Sequence, residues 1–399
     1  SIFFLYISYK KKINNFKLLW VKLFFLFIIF IVISSFFSEN IFSALKSSLS
    51  QIRFLLFALF IYFLDLRKNF QLFEKSLLII LIFVCLDVNF QFLLGYDVFG
   101  FPAEGYMKEK YSAFSHWKDP KITLGRLSGP FGYELIPGAF ISSLSTPLIF
   151  YYFKNYKFSN LKKNFFNFLW VILFLETTLI TGERLSSLLI LSSIISSLLI
   201  FLNYKKSFII ITLISISIYL LPISETNFLK KRWIDAYNIF LNIEKSSYGR
   251  IYSSSLNVWN ENKVIGTGLK NYRIKCQKIL KERPYLQFHP TITLAPHAYC
   301  APTHPHNLYL EILTETGIVG FIIFFSFYLS LMVYLFKNSL KKFDDIFLYF
   351  GFGSLFYLIF KLIPLPAGSI FSTWNASIFW FHIGVSLSFL CKKSEFKNK

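Results

Sequence analysis

The sequence predicts an all-α polytopic membrane protein of about ten transmembrane helices with one large extracytoplasmic loop. Three observations predict it. Of 399 residues, 55% are apolar and 21% aromatic, more than one soluble domain of that length can use in its core. Apolar runs long enough for about 20 residues of helix recur along the chain. Clusters of Lys and Arg fall at alternate gaps between those runs, as the positive-inside rule requires. One helical bundle with loops is therefore expected, not a string of soluble domains.

Apolar runs occupy 18–37, 50–64, 76–95, 135–153, 165–181, 185–202, 207–222, 317–336, 346–364 and 374–391. The second is short, and Phe42 to Ser50 extends it. The chain begins at Ser1, followed by an apolar stretch too short to span, which suggests a missing N-terminal end. There is no cleavable signal pattern, and a first spanning segment can direct insertion by itself. Lys10–Lys12, Arg67–Lys68, Lys154 to Lys163, Lys205–Lys206, Lys337 to Lys342 and Lys392 to Lys399 are assigned to the cytoplasm. Loops 95–134, 181–184 and 223–306 then lie outside, where a long loop translocates regardless of its charge. The chain accordingly reads as N-terminal transmembrane helices (1–222), an outer loop with short helices (223–306) and C-terminal transmembrane helices (307–399). The net charge of +21 is spread over these anchors, which face anionic lipid. No zinc-finger, RNP or helix-turn-helix pattern accompanies it, so no nucleic-acid partner is expected.

The outer loop has partial helical periodicity over Lys230 to Ile243 and Tyr252 to Val264, and a break at Gly266-Thr267-Gly268. Cys276 and Cys300 both lie in it, either as free thiols or as a disulfide. Such a bond closes 25 residues and contributes about 3 kcal/mol.

Unusual polar residues gather on the outer side of this topology. Arg126 lies in the first outer loop ahead of Glu134, and Arg184 in the tight link Thr181-Gly182-Glu183-Arg184. Arg250 follows Tyr248-Gly249, with Gly266 sixteen positions on. His304, His306 and Asn307 stand in Thr303-His304-Pro305-His306-Asn307, where the loop runs into an apolar helix. Polar, titratable groups at a water–lipid boundary are costly to hold there and suggest a substrate that is half lipid and half polar. Guanidinium groups suit a pyrophosphate, because each planar fork bonds two oxygens and keeps its charge. A histidine titrating near neutrality suits deprotonating an attacking hydroxyl. Together these groups describe glycosyl transfer from a lipid pyrophosphate, with no cofactor.

Blander readings exist for each residue. Arg250 also fits a loop-helix cap, Arg184 an interfacial snorkelling side chain, and Arg126 has four lysines in the same loop. Asn307 fits an N-cap, with Glu311 and Glu315 favouring the first turns of its helix. His289, His297, His304 and His306 fall within 18 residues, but their spacing matches no zinc motif, so no metal is assigned. Asp87, Glu134 and Glu176 are read as partners that orient the arginines, in preference to a proton path.

At these residues the chain resembles the O-antigen ligase and polymerase superfamily of bacterial inner-membrane proteins. The likeness rests on the stretch from His304 to Gly320, on Tyr248-Gly249-Arg250 with Trp259 and Gly266-Thr267-Gly268, and on Thr181 to Arg184, over roughly residues 120–335. The resemblance implies a C-type glycosyltransferase-like helical membrane enzyme. Such enzymes take glycan from undecaprenyl pyrophosphate at the periplasmic face without metal, and pass it to a glycolipid acceptor. The family's essential histidine maps onto His306, and its arginines onto Arg250, Arg184 and Arg126. Glu183 stands where many relatives carry a small residue. A single large outer loop leading directly into the histidine element is the ligase-like arrangement, whereas the Arg250–Gly266 spacing resembles one of polymerases, although ligases keep a similar arrangement. The ligase reading is preferred. A lipid-linked glycan transporter would bind phosphate with the same arginines, but no paired broken helices in the two halves mark one.

Overall fold

The computed structural model describes residues 18–64, 66–103, 125–155, 161–202, 227–282, 300, 303–340 and 346–391. Every named element among them is helical. In chain order these are α1 (Leu19–Ser35), α2 (Ile41–Ser50), α3 (Ile52–Phe63), α4 (Phe70–Leu94), α5 (Pro137–Lys154), α6 (Leu161–Ile180), α7 (Arg184–Phe201), α8 (Asn227–Leu241), α9 (Ser247–Glu261), α10 (Tyr272–Glu282), α11 (Leu308–Ser339), α12 (Leu348–Phe360) and α13 (Thr373–Leu390). Helices occupy the expected apolar runs wherever those runs are described; the run 207–222 lies outside the described residues. Among the described residues, four stretches are long and apolar enough to cross a membrane: Ile41–Phe63, Phe70–Leu94, Arg184–Phe201 and Leu308–Ser339. Shorter apolar helices accompany them. Along α4, Leu77, Leu81, Val84 and Val88 are buried while Ile79, Phe83 and Leu86 are exposed. A helix apolar on its outer face as well as its inner one is suited to lipid.

The chain divides into two compact units. One is drawn from Ser1–Asp65, Ile239–Phe343 and Lys361–Lys399, the other from Leu66–Asn238 and Asp344–Phe360. In the first, α1 packs on α2 and α11, α3 on α13, and α9 on α10 and α11. The Phe24 ring lies 5.4 Å from Phe327 and 4.8 Å from Trp380. Gly384 of α13 lets the α3 backbone approach, since a Cβ there would sit 2.7 Å from the Ala58 carbonyl. In the second unit, α5 is central and packs on α4, α6, α7 and α12. Gly353 of α12 serves the same end against Pro147 of α5, and Thr146 bonds Ser193 of α7 at 3.1 Å. Small residues and hydroxyls at helix contacts are how bundles pack where the hydrophobic effect drives little association.

α11 begins at Leu308, as the Asn307 N-cap implies, so the apolar run expected from Gly317 is the second part of a longer helix that is broken at Gly317 (φ 63°, ψ −173°). Residues 308–316 are helical because Asn307 caps them and two carboxylates on them find partners, features that an apolar-run count does not register. The segment 263–268 fills the break. Thr267 N–H donates to the Thr314 carbonyl (2.9 Å), Gly268 N–H to Glu315 (2.9 Å), and Ile318 N–H to Lys263 (2.8 Å). Gly266 and Gly317, both at positive φ, meet backbone to backbone: a Cβ on Gly266 would lie 2.4 Å from Gly317 N, and one on Gly317 would lie 2.3 Å from Val264 O. Gly266-Thr267-Gly268 is thus a structural plug, also tied to the α1–α2 corner by Ser34 Oγ to Ile265 O (2.9 Å) and Asn40 N to Asn271 Oδ1 (2.8 Å).

Candidate catalytic site

Within the first unit, the start of α11 places the histidine pair. The Asn307 carboxamide oxygen accepts from Tyr309 N (3.0 Å) and Leu310 N (3.2 Å), satisfying two of the N–H groups that a helix start leaves open. Just before it, His306 holds a left-handed backbone (φ 53°), and its carbonyl accepts from Ala367 N at 2.8 Å. That turn brings the His304 and His306 rings to 4.2 Å between centroids. His304 Nδ1 lies 3.2 Å from Thr303 Oγ1, and its Nε2 is buried without a hydrogen-bond partner. Burial lowers both histidines, His304 to about 3, so both rings are neutral near pH 7 and each has a nitrogen lone pair able to take a proton.

α9 supplies the next wall. Ser246 caps it by accepting from Gly249 N at 3.2 Å. The Tyr248 ring meets His306 edge-on at 6.3 Å, and Tyr252, one turn on, lies beside Asn307. Arg250 stands about 200° round the helix from Tyr248, on the face that buries Ile251, Ser254 and Val258. It is only 5% exposed; its Nε is buried without a partner, and no hydrogen bond or ion pair reaches its guanidinium among the described residues. A buried cation in that condition is expensive unless something absent from the chain completes it.

Behind the histidines, α11 carries two buried carboxylates one turn apart. Glu311 accepts from Ser369 Oγ and from Ile370 N (3.0 Å), and Glu315 from Lys270 N at 3.1 Å. Cys276 and Cys300 form a disulfide that ties residue 300, four positions before His304, to α10. Its core is lined by Val258, Tyr272 and Ile279.

The second unit holds Arg126, Glu134, Glu183 and Arg184. Glu183 caps not its own helix but α5, accepting from Gly138 N and Ala139 N at 3.0 Å each and from Ser186 Oγ at 3.0 Å. Gly138 allows that approach, since a Cβ there would meet Thr181 Oγ1 at 2.6 Å. Burial raises the Glu183 carboxyl, and the Arg126 guanidinium opposes the rise. Arg126 Nη2 donates to the Leu135 carbonyl at 2.8 Å. Arg184 opens α7 with Nε buried and no hydrogen bond among the described residues. Glu134 is exposed. Asp87 and Glu176, expected beside the arginines, bond elsewhere: Asp87 accepts from Val98 N (2.9 Å), and Glu176 pairs with Asn89 (3.3 Å) and Thr177 (3.2 Å). Local donors occupy both carboxylates, and the Arg126 guanidinium instead faces Glu183.

The structure therefore gathers His304, His306 and Asn307 at one spot beside α9, and gathers Arg126, Glu183 and Arg184 at one helix link. His289 and His297 lie outside the described residues. Tyr248, Tyr252 and Lys270 join the site without having been singled out, although Tyr248 stands in the same tripeptide as Arg250. Residues 169–325 match the family model for O-antigen ligase. Over that stretch the chain is similar to the O-antigen ligase and polymerase superfamily. The match runs from α6 into α11 and includes Arg184, Arg250, Gly266, His304, His306 and Asn307. That likeness points to a function of the O-antigen ligase or polymerase type. No curated protein matches the chain.

Proposed function

We propose that the chain is an O-antigen ligase-like glycosyltransferase with about ten spans, set in the bacterial inner membrane. It moves glycan from undecaprenyl pyrophosphate to a lipid A-core sugar acceptor at the periplasmic face, needing no metal. His306 takes the proton of the acceptor hydroxyl as that oxygen bonds the anomeric carbon. The bond from that carbon to the pyrophosphate oxygen breaks, and undecaprenyl pyrophosphate leaves with the electron pair. Arg250 holds the departing diphosphate, and Arg184 is assigned to substrate phosphate as well, with His304, Asn307 and Glu134 as substrate contacts; Arg126, expected with them, is instead held by the Leu135 carbonyl and faces Glu183. The observation that carries the reading is Arg250, a buried guanidinium with no partner in the described chain, on the helix whose Tyr248 touches His306. A chain-forming polymerase remains the second reading, favoured by the sixteen-residue step from Arg250 to Gly266. A glycan transporter is third.

Reconstitution with lipid-linked donor tests it. His306→Ala is expected to cut transfer by a factor of about 10² to 10⁴ while donor still binds. Transfer by this variant at the wild-type rate removes His306 from the chemistry. Arg250→Lys is expected to fail too, because an ammonium lacks the two-pronged fork. The glycolipids of a deletion strain separate the first two readings. Long chains stranded on undecaprenyl pyrophosphate beside bare core indicate a ligase, and core bearing one repeat indicates a polymerase.

A further inference from the structure

Lys270 is used by none of the roles above, yet its placement is unusual. Among the described residues only two non-glycine residues hold a left-handed backbone, Lys270 (φ 63°) and His306 (φ 53°). Both border the start of α11. Such backbone conformations persist only where the surroundings over-determine them, and they cluster at binding and catalytic sites. The surroundings of Lys270 do so. Gly268 N–H is bonded to Glu315 O, Lys270 N–H to Glu315 Oε1, and the Asn271 side chain to Leu269 O (3.0 Å). The backbone is thus clamped to α11 from both sides of the lysine. Its side chain is half-buried, and its ammonium makes no hydrogen bond or ion pair among the described residues. The lysine charge is nonetheless felt at Glu311, Glu315 and His304, and its backbone N–H is bonded to Glu315 Oε1 at 3.1 Å.

A lysine whose role was to neutralise those carboxylates would bond to one of them. Instead Glu311 is occupied by Ser369 and Ile370, and Glu315 is bonded to the lysine's own main chain, with Oε2 left without a partner. We propose that Lys270 is a substrate-binding residue whose ammonium contacts a phosphate oxygen of the donor's diphosphate next to the histidine pair, the Glu315 bond fixing the backbone that presents it. This rests on the glycosyl-transfer reading and extends it by one residue.

The test uses the full-length protein in zwitterionic nanodiscs, with inorganic pyrophosphate as the probe and as an inhibitor of transfer. Lys270→Gln is expected to raise the donor KM and the pyrophosphate inhibition constant by about tenfold, as for one lost charge-assisted hydrogen bond. Lys270→Arg is expected to retain most of both. Lys270→Gln/Glu315→Gln removes one buried negative charge while keeping an acceptor for the residue-270 N–H. If it restores folding but not the KM, phosphate binding is supported. If it restores the wild-type KM, Lys270 merely balances charge and the proposal is overturned. It is equally overturned if Lys270→Gln leaves both constants unchanged, or if wild-type transfer is not inhibited by pyrophosphate. Discs of anionic phosphatidylglycerol separate the two phosphate sources. Loss of the Lys270 dependence there would assign the ammonium to bilayer headgroups and overturn the donor contact. Failure of the parent reading looks different: wild-type transfer would then be indifferent to His306→Ala, whatever Lys270 does.

Discussion

Arg126 and Arg250 are both arginines held inside a packed unit, and the chain treats them in opposite ways. Arg126 donates to the Leu135 carbonyl, and its charge faces Glu183, which in turn caps α5. Arg126 Nη2 and both carboxylate oxygens of Glu183 thus have protein partners. Arg250 is more deeply buried, on α9 beside Ser254 and Ile251, and among the described residues nothing bonds its guanidinium. Folding tolerates few buried polar groups left open, so the contrast separates residues that hold the structure from residues kept for a ligand. His304, whose buried Nε2 has no hydrogen-bond partner among the described residues, falls on the ligand side with Arg250. Gly266, Gly317 and Glu183 fall on the structural side.

The contrast is broken most forcefully at the plug in α11. Gly266→Ala and Gly317→Ala each place a methyl carbon within 2.4 Å of backbone on the facing segment. Neither side can yield without losing the hydrogen bonds of Thr267, Gly268 and Ile318. Each substitution is expected to destabilise by at least about 3 kcal/mol, lowering transfer only in proportion to the protein that remains folded. A soluble, fully folded Gly266→Ala protein with wild-type melting temperature would show that the plug is not structural.

The two arginines sharpen the contrast directly. Arg126→Met removes the donor to Leu135 and leaves Glu183 without its opposing charge, for an expected loss of about 1–3 kcal/mol. Arg250→Met removes a buried charge that has no partner among the described residues, and is expected to leave the melting temperature unchanged or raised while transfer collapses. Thermal unfolding of both variants in one detergent decides it, and equal destabilisation by the two sinks the distinction.

The sequence made much of this legible, and unevenly so. Long apolar runs located α1, α4, α5, α7 and α13, because a membrane helix needs little beyond length and hydrophobicity. The start of α11 was legible in Asn307, an N-cap followed by Glu311 and Glu315, whereas the break at Gly317 was not, because it depends on residues 263–268, which are remote in sequence. His304, His306, Asn307 and Arg250 could be singled out because a histidine pair at a helix start and a glycine–arginine step are local signals. Tyr248, Tyr252 and Lys270 are common residues whose significance appears only when α9 and residues 263–271 fold against α11. Asp87 and Glu176 misled for the same reason. A carboxylate in an apolar helix announces a partner without saying which, and here the bonded partners are Val98, Asn89 and Thr177.

Acidity probes the open groups by a smaller effect. His304 is lowered from about 6.5 to about 3, and His306 is lowered as well, both chiefly by burial. The folded state therefore resists protons that the unfolded chain accepts. Their contribution to stability is fully present above about pH 6.5 and is lost as pH falls from there toward 3. Melting temperature is expected to drop over that window in the wild type and to drop less in His304→Gln. If His306 is the base, the acid limb of transfer lies below the usual histidine range and is displaced in no Arg126 variant that remains folded. An acid limb at or above pH 6.5 would show that burial does not govern His306 during the reaction.

The smallest expected effect is at Glu183, and it tests the structural side at its most exposed point, because this residue sits beside Arg184 in a link the superfamily match includes. Its two carboxylate oxygens serve Gly138 N, Ala139 N and Ser186 Oγ. In Glu183→Gln one oxygen becomes an NH₂ group, which cannot accept from a main-chain N–H and can only turn away from it. One N–H at the start of α5 is then left open, and Arg126 loses the charge it faces. The cost of the first is about 1 kcal/mol, while the second is offset because the neutral side chain is easier to bury in the position where burial already raises the carboxyl. Arg126→Met and Glu183→Gln share one contact, so the double variant is expected to lose less than the two single losses added together. Transfer by Glu183→Gln is expected to follow its folded fraction alone. If transfer disappears at undiminished stability, Glu183 works on substrate, and the division between partnered and unpartnered residues fails at the point where the two kinds stand side by side in the chain.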